Sequence, residues 1–320
     1  MNGSLRYAFF GSGVFAAECL ELLSKWRVPS WIVTAPPAAS GRGNIVSRTP
    51  VGKIASSLNG LREIHVLETA SASSDDAVLE MKRKLPVDFS FVIDFGHLIR
   101  EPLLAWEEHI GCLNIHPSEL PLYRGAATIQ RALMDGARVI GVSIFKLAAM
   151  MDAGPVLFTE RIEVDAGDDF GSLRKKAAEI GTGAFIRFAL NNPPYSWTFK
   201  TQDESGATYA RKISSAEERI DWRRPARSIV GLVRALSPKP GAWTTLRGKR
   251  LLVLSAREAS SAEEHETCRP GELRLERANS LVGTGEGLVE IVTIQPEGRK
   301  PQPASAWKNG LRASPGECMI

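Results

Sequence analysis

Between Cys112 and Ala126 the chain reads Cys-Leu-Asn-Ile-His-Pro-Ser-Glu-Leu-Pro-Leu-Tyr-Arg-Gly-Ala, and Asn114 and His116 within it are equipped for chemistry. Residues two apart on a strand project from the same face. Pro117 ends the strand, so both side chains lie at its C-terminal end, where open α/β sheets place their ligands. Asparagine offers a neutral amide donor, and histidine takes or gives a proton near neutral pH. Together they suit an acyl transfer in which a carbonyl oxygen gains charge. A turn-forming asparagine beside a hydrogen-bonded histidine is the plainer reading and stays open here. The run Met150-Met-Asp-Ala-Gly-Pro155 puts Asp152 in a Gly/Pro turn just before a strand. A carboxylate near His116 would set its tautomer and stabilise its charged form, as the acid of a catalytic triad does. Capping of the turn is the alternative.

Such groups need a rigid frame. Apolar runs near residues 7–10, 30–34, 87–95 and 112–116 read as strands, and helical patterns fall near 15–26, 75–85 and 126–135. This alternation predicts parallel βαβ units in one Rossmann-like α/β sheet, mostly parallel and with helices on both faces. Strands follow at 141–145 and 156–159, then a helix over about 172–190. Asn191-Asn-Pro-Pro194 ends that helix, and Lys200-Thr-Gln-Asp-Glu-Ser-Gly206 reads as a linker. After it come a helix at 224–236 and short strands at 251–254, 272–275, 281–282 and 289–292, which suggest a small OB-like β-barrel. The expected organisation is a catalytic domain over 1–190, a linker over 191–207 and a C-terminal barrel over 208–320.

Gly11-Ser-Gly-Val-Phe-Ala16, between the first strand and its helix, fits a dinucleotide fingerprint. That site also needs an acidic residue roughly 20 positions on. After Glu21 no Asp or Glu occurs before Glu63, so the glycines argue for the β-turn-α unit and against a nicotinamide cofactor.

Charged residues make up 24% of the chain and apolar ones 43%, which excludes disorder; the apolar run 89–95 is broken by Asp94, which excludes a membrane span there. Four cysteines far apart, without Cys-x-x-Cys spacing, fit free thiols and a cytoplasmic location, and no metal-ligand pattern appears. No signal-peptide pattern opens the chain. Residues 1–207 carry 21 Lys/Arg against 23 Asp/Glu, whereas residues 208–320 carry 19 against 13. A basic excess confined to the last third suggests a module that meets a polyanion.

The run Asn114-Ile-His116-Pro-Ser-x-Leu120-Pro-x-Tyr-Arg124-Gly-Ala-Ala127-x-Ile-Gln130, with Gly141-Val and Asp152-x-Gly154-Pro-Val-Leu157, resembles the formyltransferase family. The likeness extends to Gly41-Arg-Gly43, Thr49-Pro-Val51, Lys53-Ile-Ala55 and Phe95-Gly96. In the last third it takes in Ile220-Asp-Trp222, Arg234-Ala-Leu-x-Pro238-x-Pro-Gly-Ala242, Pro270-Gly271 and Gln295-Pro-x-Gly-x-Lys300, the set that marks the branch acting on methionyl initiator tRNA. The resemblance implies formyl transfer from 10-formyltetrahydrofolate, as co-substrate, to the α-amine of that tRNA. It implies Asn114, His116 and Asp152 as catalytic residues, and Ser118, Glu119, Leu120 and Pro121 with Phe95, Gly96 and His97 as folate contacts. Glu119 stands where the family usually has Leu, Ser12-Gly13 where it has Thr-Pro, and Pro37-Ala38 where it has Asp-Arg. Arg42 and Arg48, in the loop after the second strand, and Arg211, Lys212, Arg247, Lys249 and Arg250 are the candidates for tRNA contacts. A monomer without metal is expected. A formyltransferase of a sugar-nucleotide amine or glycinamide ribotide would explain Asn114, His116 and Asp152 but not the basic last third. A dehydrogenase lacks its ribose-binding acid, and a pure RNA-binding module has no use for the three polar residues.

Overall fold

A computed structural model of the 320-residue chain describes residues 5–40, 45–59, 64–104, 110–259, 268–275, 279–311, 314 and 316–320. Its contacts group into two compact units. The first comprises Met1–Arg124, Gly141–Ile162 and Arg174–Tyr209; the second comprises Gly125–Ile140, Glu163–Leu173 and Ala210–Ile320.

The first unit begins with β1 (Tyr7–Gly11), α1 (Val14–Trp26) and β2 (Trp31–Thr34). A hairpin of β3 (Ala38–Ser40) and β4 (Ile45–Ser47) leads to α2 (Pro50–Asn59), β5 (His65–Glu68), α3 (Asp76–Lys84), β6 (Phe89–Ile93) and β7 (Gly111–His116). Along the chain α4 (Thr128–Met134), which belongs to the second unit, then leads to β8 (Val139–Lys146), β9 (Val156–Glu163) and α5 (Phe170–Asn191), most of whose residues return to the first. The sheet order is β5-β2-β1-β6-β7-β8-β9. β5, β2, β1, β6 and β7 pair in parallel, and β8 runs antiparallel to β7.

Every residue of β1 and β6 is buried, as a strand covered on both faces requires. One face of the sheet packs Tyr7, Phe89 and Phe91 against Trp26 of α1 and Phe185 of α5, with the Phe91 and Phe185 rings 4.8 Å apart. The other buries Ala8, Phe10, Trp31, Val33 and Cys112 with Val78 of α3. Each such large apolar side chain contributes about 1.5–3 kcal/mol by leaving water.

The glycine fingerprint has a local cause. Gly13 N and Ser12 N both donate to Asp94 O, and a Cβ on Gly13 would fall 1.6 Å from Asp94 Oδ2. A side chain at Gly13 would have to displace the carboxylate that closes on the start of α1. The crowded surroundings raise the Asp94 carboxyl to about 6, against the opposing pull of the Phe15 N–H and Arg174. Asp94 keeps one side open to solvent.

The last third contributes α6 (Ala226–Leu236), β10 (Ala242–Leu246), β11 (Lys249–Glu258), β12 (Leu273–Leu275), β13 (Ser280–Gly283), β14 (Leu288–Pro296), β15 (Gln302–Pro303) and α7 (Ala304–Gly310). The strands form an antiparallel sheet in the order β10-β11-β14-β13-β12, with β15 beside β14. It curls into a half-barrel, helped by register shifts between Val253 and Ala256 that bend β11. Ile229, Leu232, Val233 and Leu236, spaced along one face of α6, fill it together with Leu251, Val253, Val289 and Ile291. Gly231 lets α4 approach α6, since a Cβ there would meet Leu133 O at 2.9 Å.

Candidate active site

β7 delivers the first two polar groups. Its outer residues pair Asn114 with Phe145 and His116 with Ser143 on β8. Asn114 and His116 share a face, while Leu113 and Ile115 turn to the buried one. Asp152 arrives from the turn that follows β8. Its φ is 52°, in the left-handed region, and a Cβ on Gly154 would fall 1.8 Å from Lys146 O, so the turn needs glycine.

This turn sets Asp152 Oδ2 3.9 Å from His116 Nδ1, with side-chain exposures of 13% and 6%. The separation is longer than a hydrogen bond. On the ring's other side, His116 Nε2 lies 3.2 Å from Tyr123 O. Nε2 therefore has a carbonyl oxygen within hydrogen-bond distance, while Nδ1 faces the Asp152 carboxylate from farther off. Phe145 packs edge-on against the imidazole with centroids 6.0 Å apart, limiting its rotation.

Behind this pair stand groups that sequence reasoning missed. Arg124 is 1% exposed and donates to Gln202 Oε1 through Nε and Nη2, at 3.1 and 2.8 Å. It also grips Glu204 through Nη1 and Nη2 at 2.8 and 2.7 Å. Those bonds to Glu204 raise the guanidinium pKa further and lower that of the Glu204 carboxyl. Gln202 Nε2 donates to Asp152 O and Gly154 O. The polar stretch after residue 200 is thus bonded into the first unit. Composition carried no signal for this, because a buried glutamine and an exposed one read alike.

The turn expected to meet folate continues from His116. Ser118 is buried, its carbonyl accepts from Ser143 Oγ at 2.7 Å, and its own Oγ has no partner among the described residues. Leu120 N donates to the same Ser143 Oγ, and Pro121 O accepts from Thr208 N. Glu119, where an apolar residue is usual, has its carboxylate held by both arms of Arg161 at 3.0 and 2.6 Å. Phe95 is buried against Phe10 and His97, whereas Gly96 and His97 are exposed. β6 and β7 run parallel, so residues 95–97 and 117–121 leave the sheet at the same edge. There the Ser118 hydroxyl is unpartnered among the described residues, and a Cβ built on Gly96 would meet nothing within 4 Å. Among the described residues no cluster of His, Cys, Asp and Glu could hold a metal ion, and no helix is long and apolar enough to cross a membrane.

The basic candidates differ in what holds them. Arg42 lies outside the described residues. Arg48 bonds Ser56 Oγ and stands 3.8 Å from Glu68. Arg211 and Lys212 are exposed, with their carbonyls held by Arg131. Arg247, at φ 50° in the turn between β10 and β11, pairs with Glu317 through Nε and Nη2. Arg250 covers Trp243 at 4.5 Å and reaches Glu218 at 3.8 Å. Lys249 is exposed and has no ion pair among the described residues.

Comparison with known proteins places the chain in a family. Residues 5–188 match the formyl transferase family model and residues 212–312 the formyl transferase C-terminal domain model. The chain is similar to a methionyl-tRNA formyltransferase of Roseiflexus castenholzii, 36% identical with 98% of each chain covered. It is also similar to one of Phenylobacterium zucineum, 36% identical with 98% of this chain and 99% of that one covered. The fold is shared with the crystal structure of an N-formyltransferase from Helicobacter canadensis in complex with folinic acid and dTDP-3-aminofucose. Its TM-score is 0.64 at 12% identity, covering 91% of this chain and 99% of that one. The chain belongs to the formyl transferase family.

Proposed function

We propose that the protein moves the formyl group of 10-formyltetrahydrofolate onto the α-amine of methionyl initiator tRNA. The observation that carries this reading is the meeting of His116 and Asp152 at the end of the strand that bears Asn114, in a chain whose relatives match from end to end. In the reaction the amine nitrogen bonds to the formyl carbon and the bond from that carbon to N10 breaks. One proton leaves the amine and one reaches N10.

The chain's own groups suit those needs. The Asn114 amide and a His116 N–H donate to the formyl oxygen as it gains charge. His116 is the group that can carry the proton, and Asp152 beside Nδ1 stabilises the ring while it holds it. The small exposure of both side chains keeps their charges effective, because little water screens them. Ser118, Glu119, Leu120 and Pro121, with Phe95, Gly96 and His97, would hold the folate. Arg42, Arg48, Arg211, Lys212, Arg247, Lys249 and Arg250 are the proposed tRNA contacts. We also propose a cytoplasmic monomer, built of a catalytic domain over 1–190 and a tRNA-binding domain over 208–320.

The test is incubation with 10-formyltetrahydrofolate and charged initiator tRNA. Formyl-methionyl-tRNA is the expected product, and formyl transfer only to a sugar-nucleotide amine would overturn the reading.

A further inference from the structure

We propose that Gln202, locked by Arg124, is a positioning residue that fixes Asp152 against His116. This rests on the reading above, in which those two act together. Arginine carries donors only, so the oxygen of the Gln202 amide must face Arg124 Nε and Nη2. The amide is thereby oriented, and its two N–H groups point to Asp152 O at 2.8 Å and Gly154 O at 2.7 Å. Every hydrogen-bonding atom of that buried side chain is engaged, and none has a second orientation open to it.

What it holds needs holding. Asp152 sits at φ 52°, a left-handed conformation that is strained for a non-glycine residue and persists where its surroundings impose it. Bonds to the carbonyls on both sides of Ala153 impose it. The same strap secures the opposite flank of the imidazole. Tyr123 N donates to Thr208 Oγ1 and Arg124 N to Thr208 O, each at 2.8 Å, while Tyr123 O faces His116 Nε2. Residues 202–208 thus fix the turn behind Nδ1 and the carbonyl before Nε2. They touch neither reacting group and act only through spacing.

The test is Gln202→Glu in the full chain. The new carboxylate keeps the shape and the Arg124 contact but sets an oxygen against two carbonyl oxygens. Misplacement by about 1 Å can cost 10²-fold, so kcat should fall about 10- to 100-fold, with KM for folate and for tRNA both within about 2-fold. Asp152→Asn and the double variant complete a cycle read by single-turnover rates. If Gln202 acts through Asp152, the double variant is no slower than Asp152→Asn alone. Multiplied losses, or a Gln202→Glu kcat equal to the parent's, would overturn the proposal. An Asp152→Asn variant of full activity would instead sink the catalytic reading on which it stands. Should Gln202→Glu not fold, Glu204→Ala decides, because it frees the outer edge of Arg124 at an exposed site. A severalfold loss of kcat that disappears in the Asp152→Asn background supports the proposal, and an unchanged kcat overturns it.

Discussion

The end of β7 and the turn between β10 and β11 hold charge in opposite ways. At the first, His116 and Asp152 are 6% and 13% exposed, and their neighbours leave them one geometry. At the second, Arg247 is 51% exposed and Arg250 49%, and Lys249 extends into solvent. Chemistry on a small carbonyl needs donors fixed before the charge develops, in surroundings that water does not relax. A polyanion needs only a field, which exposed cations supply while remaining free to adjust. The two regions should therefore answer substitution differently: steeply and locally at β7, gently and with salt dependence at the barrel.

The sharpest way to break that contrast is at His116. His116→Ala and Asp152→Asn should each lower kcat by about 10²–10⁴-fold, the usual worth of acid–base help, with melting temperature retained. If Asp152 serves mainly by orienting and charging His116, the double variant loses little beyond the worse single one. Loss through KM for tRNA with kcat intact would place these residues in binding and erase the distinction.

A smaller effect separates the basic residues from one another. Lys249→Ala should weaken tRNA binding severalfold and lower the log–log salt slope by about 0.7–0.9, the signature of one phosphate contact. Arg247→Ala should move that slope less, since its guanidinium already faces the Glu317 carboxylate. Binding titrations at several salt concentrations check both, and equal slopes would show that the pairing with Glu317 opens on tRNA.

The smallest effect belongs to an ion pair away from the reacting groups. Arg131 Nη1 bonds Glu217 at 2.6 Å, and with the Ser214 N–H it lowers the Glu217 carboxyl from 4.5 to about 2. A depressed carboxyl stabilises the folded state above its unfolded value and loses that contribution as pH falls from 4.5 toward 2. Glu217 is 37% exposed, so solvent screening trims the gain to roughly 1 kcal/mol at most. Glu217→Gln should lower the melting temperature by roughly 2–4 °C at pH 7 and by nothing near pH 2, with kcat unaltered at pH 7.

Much of this could be read from residues in order. Asn114 and His116 follow from strand alternation, and Asp152 from its turn, because these signals are local. The parallel sheet followed from buried runs such as Phe89–Ile93. The antiparallel course of β8 did not, since a period of two says nothing about direction. α2 and β5 also escaped. α2 is announced only by Thr49, whose hydroxyl accepts the Gly52 N–H, and by Pro50 behind it. β5 is a half-exposed edge strand of four residues with little apolar contrast. Within the polar stretch 200–206, which reads as a linker, the burial of Gln202 is set by partners far away in the sequence, Arg124 and the Asp152 turn, and leaves no local signal.

The distribution of the two units along the chain bears on how a ribosome must make this protein. α4 emerges early and presents Ile129, Ala132 and Leu133 as an apolar stripe. The helix against which it packs, α6, is not yet synthesised. At about 5–20 residues per second the wait is on the order of ten seconds, long compared with the collapse of a chain. During that interval the growing polypeptide carries the apolar face of α4 without the helix that covers it in the folded chain.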